Sequence, residues 1–247
     1  MKITSILTRK MAVAGLCFMG LWTFAASASA ALITNGSFET NTGGGQLGFN
    51  RSATGWTVAA PNSSYVFLFT SAAQAVSGVT GQYGNLSLYG PIPSSPDGGA
   101  FIGSDPAFQN GPISQTVSGL TIGAQYVLSF NWAGAQQQGF DGATTEGWHV
   151  TFGSQSGDAG TIANVNHGFT GWQTASLNFT ASSTSQVLSF LATGGPSSSL
   201  PPFSLLDGVS LTQVSNTPEP ASWGMLLGGL GLLGGMRFTR AKNWFKS

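Results

Sequence analysis

From Tyr126 to Trp132 the chain alternates strictly. Tyr126, Leu128, Phe130 and Trp132 fall on one face of an extended segment, and Val127, Ser129 and Asn131 fall on the other. This period of two predicts a half-buried strand. Shorter runs of the same character predict further strands at Tyr65–Phe69, Asn85–Tyr89, Ala100–Gly103, Ile113–Val117, Trp148–Phe152, Ala175–Phe179, Val187–Ala192 and Leu205–Thr212. Clusters of Gly, Pro, Ser and Asn separate them, as in Pro91–Gly99 and Thr193–Pro202. No stretch between Ala31 and Thr212 carries a convincing 3.6-residue period, and no internal repeat is evident. The pattern predicts an all-β chain whose residues 31–212 form a single β-sandwich of jelly-roll form.

Both ends have a different texture. Lys2, Arg9 and Lys10 precede an apolar run from Met11 to Phe24, and Ala28-Ser29-Ala30 supplies small residues at alternate positions. These are the parts of a secretory signal peptide, so residues 1–30 are expected to be removed by signal peptidase after Ala30. The one cysteine, Cys17, leaves with them, and the exported chain has no disulfide, thiolate metal site or cysteine nucleophile. At the other end, residues 213–220 read as a linker in which Pro218 and Pro220 fix φ and remove backbone donors around Glu219. The run from Ala221 to Met236 is uncharged and holds Gly224, Gly228, Gly229, Gly231, Gly234 and Gly235 among its leucines. At about 1.5 Å per residue it makes roughly 24 Å of helix, short of a hydrocarbon core of about 30 Å. Residues 221–236 are therefore expected to form a weak transmembrane helix. Arg237, Arg240, Lys242 and Lys246 follow, which holds residues 237–247 in the cytoplasm and the body in the periplasm.

Removing the ends changes the charge. The whole chain is formally neutral. Its body retains Arg51 as the one Lys or Arg, against Glu39, Asp97, Asp105, Asp141, Glu146, Asp158 and Asp207, a balance near −6. Such a body neutralises no phosphate, and nucleic acid is excluded as a partner. Charged residues make up 6% of the chain, against about 25% in ordinary globular proteins, with Gly, Ser, Thr, Asn and Gln in their place. A surface of that kind suits hydrogen-bonded contact with neutral polymers, or serves as an inert extracellular coat.

The tail resembles a known family. A Pro-Glu-Pro tripeptide at 218–220, a short Gly/Leu-rich span and a basic cluster that includes Arg237 and Arg240 are similar to the PEP-CTERM sorting signal of Gram-negative bacteria. The resemblance implies export, transient anchoring in the inner membrane and cleavage near Pro218-Glu219-Pro220 by an exosortase, a membrane cysteine protease. Release to the cell surface or medium would follow. The body resembles galactose-binding-like jelly rolls, carbohydrate-binding modules and the DUF642 group among them. The residues that carry this are Asn35-Gly36-Ser37-Phe38-Glu39, Gly55-Trp56, the stretch Ile113 to Leu120 running on to Tyr126–Trp132, Gly171-Trp172, Phe179-Thr180-Ala181 and Leu206-Asp207-Gly208-Val209-Ser210-Leu211. Gly208 departs from the usual Asp-Asn/Asp-Val of the closing strand. This second resemblance implies the fold and a tendency to bind extracellular polysaccharide.

Three groups of residues bear chemistry. On the last strand Leu205, Asp207, Val209 and Leu211 are expected to share a face, which sets a carboxylate among apolar neighbours. A buried carboxylate needs a partner. With Arg51 alone available, calcium held by Glu39 and Asp207 is one answer, and related modules place a structural calcium between an opening Glu and a closing Asp. Backbone N–H groups, or a bulge at Gly208 that turns Asp207 outward, are others. Asp141 and Glu146 lie in a Gln- and Gly-rich stretch, Ala133–Gly147, expected to be a flexible loop. A sugar-contacting or connecting role fits it better than a glycosidase pair, which needs a rigid frame. His149 and His167 have no acidic cluster beside them in sequence and read as surface residues. No Gly-x-Ser-x-Gly elbow is present. The chain is thus expected to be an exported, non-enzymatic binding or matrix protein. A secreted carbohydrate-active enzyme is the alternative.

Overall fold

A computed structural model describes residues 31–60 and 63–214. The leader with Ala28 and Ala30, and the tail with Pro218, Glu219, Pro220, Arg237 and Arg240, lie outside the described residues, as does the expected span 221–236. Among the described residues no helix is long and apolar enough to cross a membrane.

In chain order the strands are β1 (Gly45–Gln46), β2 (Thr57–Val58), β3 (Val66–Phe69), β4 (Val79–Gly81), β5 (Gly84–Leu86), β6 (Phe101–Ser104), β7 (Ile113–Ser118), β8 (Gln125–Gln136), β9 (Thr144–Phe152), β10 (Gln155–Asn164), β11 (Gln173–Thr180), β12 (Ser185–Gly195) and β13 (Pro202–Gln213). A short helix, α1 (Ala72–Ser77), follows β3. Six strands form one sheet in the order β1-β3-β6-β13-β8-β11, and five form a second in the order β10-β9-β12-β7-β2. The pairings within both sheets are antiparallel. This is a jelly-roll sandwich, and the all-β reading of the sequence holds.

The two sheets close on one core. Val66, Leu68, Ile102, Leu128, Phe130 and Trp132 project from the six-stranded sheet, and Trp148, Val150, Phe152, Leu188 and Phe190 meet them from the other. The Trp148 indole N–H is buried there and donates to the Leu205 carbonyl at 3.0 Å, which joins the sheets through a polar contact. A second core lies on the outer face of the six-stranded sheet. Phe67, Phe69, Phe101, Ala133, Ala135, Phe203 and Leu205 point that way, and α1, the β4–β5 hairpin and the segment through Leu88 and Ile92 cover them. The Ser71 hydroxyl caps α1 by accepting from the Gln74 amide at 3.2 Å.

Several expectations change. The stretch Ala133–Gly147 is not one flexible loop: β8 continues to Gln136 and β9 begins at Thr144, leaving residues 137–143 as the connection. Strand β10 and helix α1 carry no clear pattern in the sequence. The expected common face of Leu205, Asp207, Val209 and Leu211 breaks at Gly208. Register slips between Asp207 and Ser210 against β8, and Gly208 takes φ +59°, a left-handed conformation that suits glycine. Leu205 therefore lies in the outer core, while Leu206, Val209 and Leu211 enter the inner one.

Candidate functional site

A cleft of about 170 Å³ opens beside the outer core, lined by Tyr65, Asp105, Phe108, Gln137, Phe140, Ser198 and Pro201. Its parts come from four places in the chain. Tyr65 immediately precedes β3 and Asp105 immediately follows β6, and the Asp105 amide donates to the Tyr65 carbonyl at 3.2 Å where this strand pair ends. Asp105 then shapes the next turn. Its Oδ1 accepts from the amides of Ala107 at 2.7 Å and Phe108 at 3.2 Å, an Asx-type turn. This turn sets the Phe108 ring edge-on to Tyr65, with centroids 5.1 Å apart and planes at 86°. Gln137 and Phe140 come from the β8–β9 connection, and Ser198 and Pro201 from the loop before β13.

Asp105 is 1% exposed. Burial pushes its carboxyl up to about 7, against the two amides, which favour the charged form. The Tyr65 hydroxyl is pushed up to about 12, by burial first and then by the charge of Asp105. Tyr65 thus stays a neutral donor at any ordinary pH. Aromatic walls with one carboxyl, one amide and hydroxyls form a site for a polar, hydrogen-bonding group with an apolar face.

The second constellation is acidic. Just before the bulge in β13, Asp207 points to the same outer side as Leu205 and is fully buried. Neither of its carboxylate oxygens closes a hydrogen bond of normal geometry. Burial pushes its carboxyl up to about 7. The nearby Ser95 hydroxyl and Gly208 amide lower it, while the charges of Asp97 and Glu39 raise it further. Glu39 reaches in from the first loop, its Oε1 accepting from the Ala100 amide at 2.7 Å. Gly99 is required there, because a Cβ at that position would stand 1.8 Å from Glu39 Oε1. Arg51 is spent elsewhere, its guanidinium donating to the carbonyls of Gly44 and Asn50, both at 2.9 Å. Two buried oxygens without a hydrogen bond of normal geometry, in the field of the Asp97 and Glu39 charges, suit a hard cation. Among the described residues no three acidic, histidine or cysteine side chains form a cage on their own, so carbonyl or water oxygens would complete its shell.

The remaining site residues separate. Glu146 sits on β9 facing the sandwich interior, fully buried, with neither carboxylate oxygen in a hydrogen bond of normal geometry. Burial pushes it up to about 7, with the Thr144 and Asn164 side chains opposing. Gly134 on β8 makes room for it, since a Cβ there would come within 2.4 Å of Glu146 Oε2. Asp141 is exposed on the connecting loop and bonds the His167 ring at Nε2, 2.6 Å away, and that ring stacks on Tyr89 at 3.8 Å. One carboxylate faces solvent and the other the core, so they do not flank a common bond. His149 pairs with Asp158 at 2.7 Å on the outer face of the five-stranded sheet, because β10 brings Asp158 directly opposite. Neither acidic neighbour was legible from sequence spacing. The cleft was missed too. The one local signal for it was Asp105-Pro106-Ala107-Phe108, a turn sequence with an aromatic at its end.

Structural comparison finds low-identity neighbours. The carbohydrate-binding module TmCBM61, solved in complex with β-1,4-galactotriose, matches at TM-score 0.45 and 15% identity over 75% of this chain and 100% of its own. A CBM4 module matches at 0.34 and 18%, over 74% and 99%. The enzymatically active domain of tailspike protein 4 from bacteriophage CBA120 matches at 0.38 and 13%, over 74% of this chain and 21% of that one. No curated protein matches the chain by sequence. Beyond the last strand, residues 216–241 match the PEP-CTERM protein-sorting motif, a stretch that contains Pro218, Glu219, Pro220, Arg237 and Arg240.

Proposed function

We propose that this is an exported, non-enzymatic protein that binds extracellular polysaccharide through the Tyr65–Asp105–Phe108–Phe140 cleft. Its leader passes it to the general secretion machinery and signal peptidase. Its tail holds it briefly in the inner membrane until an exosortase releases the body to the cell surface or medium. The observation that carries the binding reading is the cleft itself. Aromatic faces beside hydroxyl, amide and carboxyl groups match a sugar ring, which has apolar C–H faces and a polar rim. Asp105 is the single Asp or Glu lining the cleft, whereas glycoside hydrolysis takes two carboxyl groups. That favours binding over turnover.

A glycan array on the purified protein, followed by titration of the hits, tests this. Phe140→Ala should weaken the best ligand at least about tenfold, equivalent to about 1.4 kcal/mol, without moving the melting temperature by more than a few degrees. Hydrolysis of any array glycan would decide for the enzyme. Replacing Pro218-Glu219-Pro220 by alanines should leave export intact and strand the uncleaved chain in the inner membrane.

A structural calcium held by Glu39 and Asp207, with carbonyl or water oxygens completing its shell, belongs to the same reading. A ligand bound by the folded state alone adds RT ln(1 + [L]/Kd) to stability, so a chelator should lower the melting temperature and calcium restore it. An unchanged transition with no metal in elemental analysis would remove it.

A further inference from the structure

Resting on the reading of the cleft as a glycan site, we propose that its ligand is an amino sugar with a free, cationic amine, taken from a glycan that is not N-acetylated at that residue. Three observations converge on this class. Asp105 is almost wholly buried, yet both of its recorded hydrogen bonds go to Oδ1, from Ala107 and Phe108, which leaves Oδ2 for whatever enters the cleft. No Lys or Arg lines the cleft, and the Arg51 guanidinium bonds two carbonyls elsewhere. The cleft therefore presents a carboxylate with no protein cation to neutralise it. Tyr65, Phe108 and Phe140 line it, and an aromatic face attracts a cation.

A neutral hexose would find hydrogen-bond partners here, but it offers no charge to pair with Asp105 when that carboxyl is ionised. A uronate or sulfated sugar would add a second negative charge beside Asp105. An ammonium group satisfies both the carboxylate and the rings. At about 170 Å³ the cleft falls below the roughly 300 Å³ of a drug-sized pocket, which limits it to about one sugar residue. The acidic body also draws cationic polymers by long-range attraction, a steering effect that salt weakens.

Isothermal titration of the full-length protein in detergent with glucosamine oligomers, and with the same oligomers N-acetylated, tests this. The free-amine oligomers should bind at least tenfold more tightly. Asp105→Asn should abolish that difference by weakening the free-amine series far more than the acetylated one, and an asparagine Oδ1 can still accept the two turn amides. Raising the salt concentration should weaken the free-amine series alone. Equal or tighter binding of the acetylated series would overturn the amine assignment and leave the glycan reading standing. So would binding of other glycans that Phe140→Ala abolishes but Asp105→Asn does not. A lysine tripeptide that binds as tightly as the glucosamine oligomer would overturn the sugar half of the proposal. If no glycan of any class binds, the glycan reading falls and this inference falls with it.

Discussion

The two sheets share a core but differ in what covers their outer faces. Over the six-stranded sheet lie α1, the β4–β5 hairpin and the segment to Ile92, and beneath them Phe67, Phe69, Phe101, Phe203 and Leu205 are wholly buried. Over the five-stranded sheet lies nothing among the described residues. Ser156, Thr151, Ser189, Ser114 and Thr57 stand opposite one another in that order, forming a hydroxyl row across five strands. Both the cleft and the Glu39–Asp97–Asp207 cluster sit on the covered side. An open face needs no more than side chains that are content in water. A covered face brings loops over one another, and where they meet they bury polar groups such as Asp105 and Asp207 that then require partners.

The sharpest way to break this contrast is to hollow out the covered face. Phe203→Ala should cost about 3–5 kcal/mol and lower the melting temperature on the order of 10 °C in thermal unfolding. A loss no greater than that of a surface change would mean that the segment from Ser71 to Ile92 is a loose cover and not a second core.

Next in size comes the response to pH, measured in chelator. The carboxyls of Asp105 and Asp207 move from 3.8 to about 7 on folding, and that of Glu146 from 4.5 to about 7. Between those limits the folded state holds protons that the unfolded chain has released, so stability falls as pH rises and the full penalty stands above about 7. The melting temperature should be higher at pH 5 than at pH 8, and Glu146→Gln should flatten part of the slope. A flat profile for the unmodified protein would show that these acids are already compensated.

The smallest effect belongs to the bare sheet. Thr116→Ala, on its exposed outer face, should stay within about 0.5 kcal/mol of the parent in chemical denaturation. A larger loss would mean that this face is also packed.

The features legible in the sequence were those that repeat locally. Strand β8 announced itself because Tyr126, Leu128, Phe130 and Trp132 all turn to the inner core. Strand β10 did not, because it is an edge strand whose residues from Gln155 to Ala163 are half or fully exposed. Helix α1 spans six residues, fewer than two turns, and a 3.6-residue period cannot show itself over that length. Asp207 was singled out as a carboxylate set among apolar neighbours, and it is fully buried. Its neighbours on the strand were misassigned because a single-residue bulge shifts every later side chain to the opposite face. The cleft was hidden for another reason. Tyr65, Asp105, Phe140 and Ser198 are far apart in the chain and meet only through strand order.

Strand order also governs when the fold can form. Strand β13 is the last strand among the described residues, yet it lies in the interior of its sheet, between β6 and β8. Until residues 202–213 arrive, the sheet is two separated halves with exposed hydrogen-bonding edges. The carboxylate cluster then lacks Asp207, and the Trp148 indole lacks its acceptor on Leu205. A chain delivered vectorially from its N-terminus therefore keeps this sheet open until residues 202–213 have emerged. The sorting motif begins at residue 216, only three positions after β13 ends. The domain is completed just before the sorting motif emerges, so a chain terminated before residue 202 would have neither a finished sheet nor that motif.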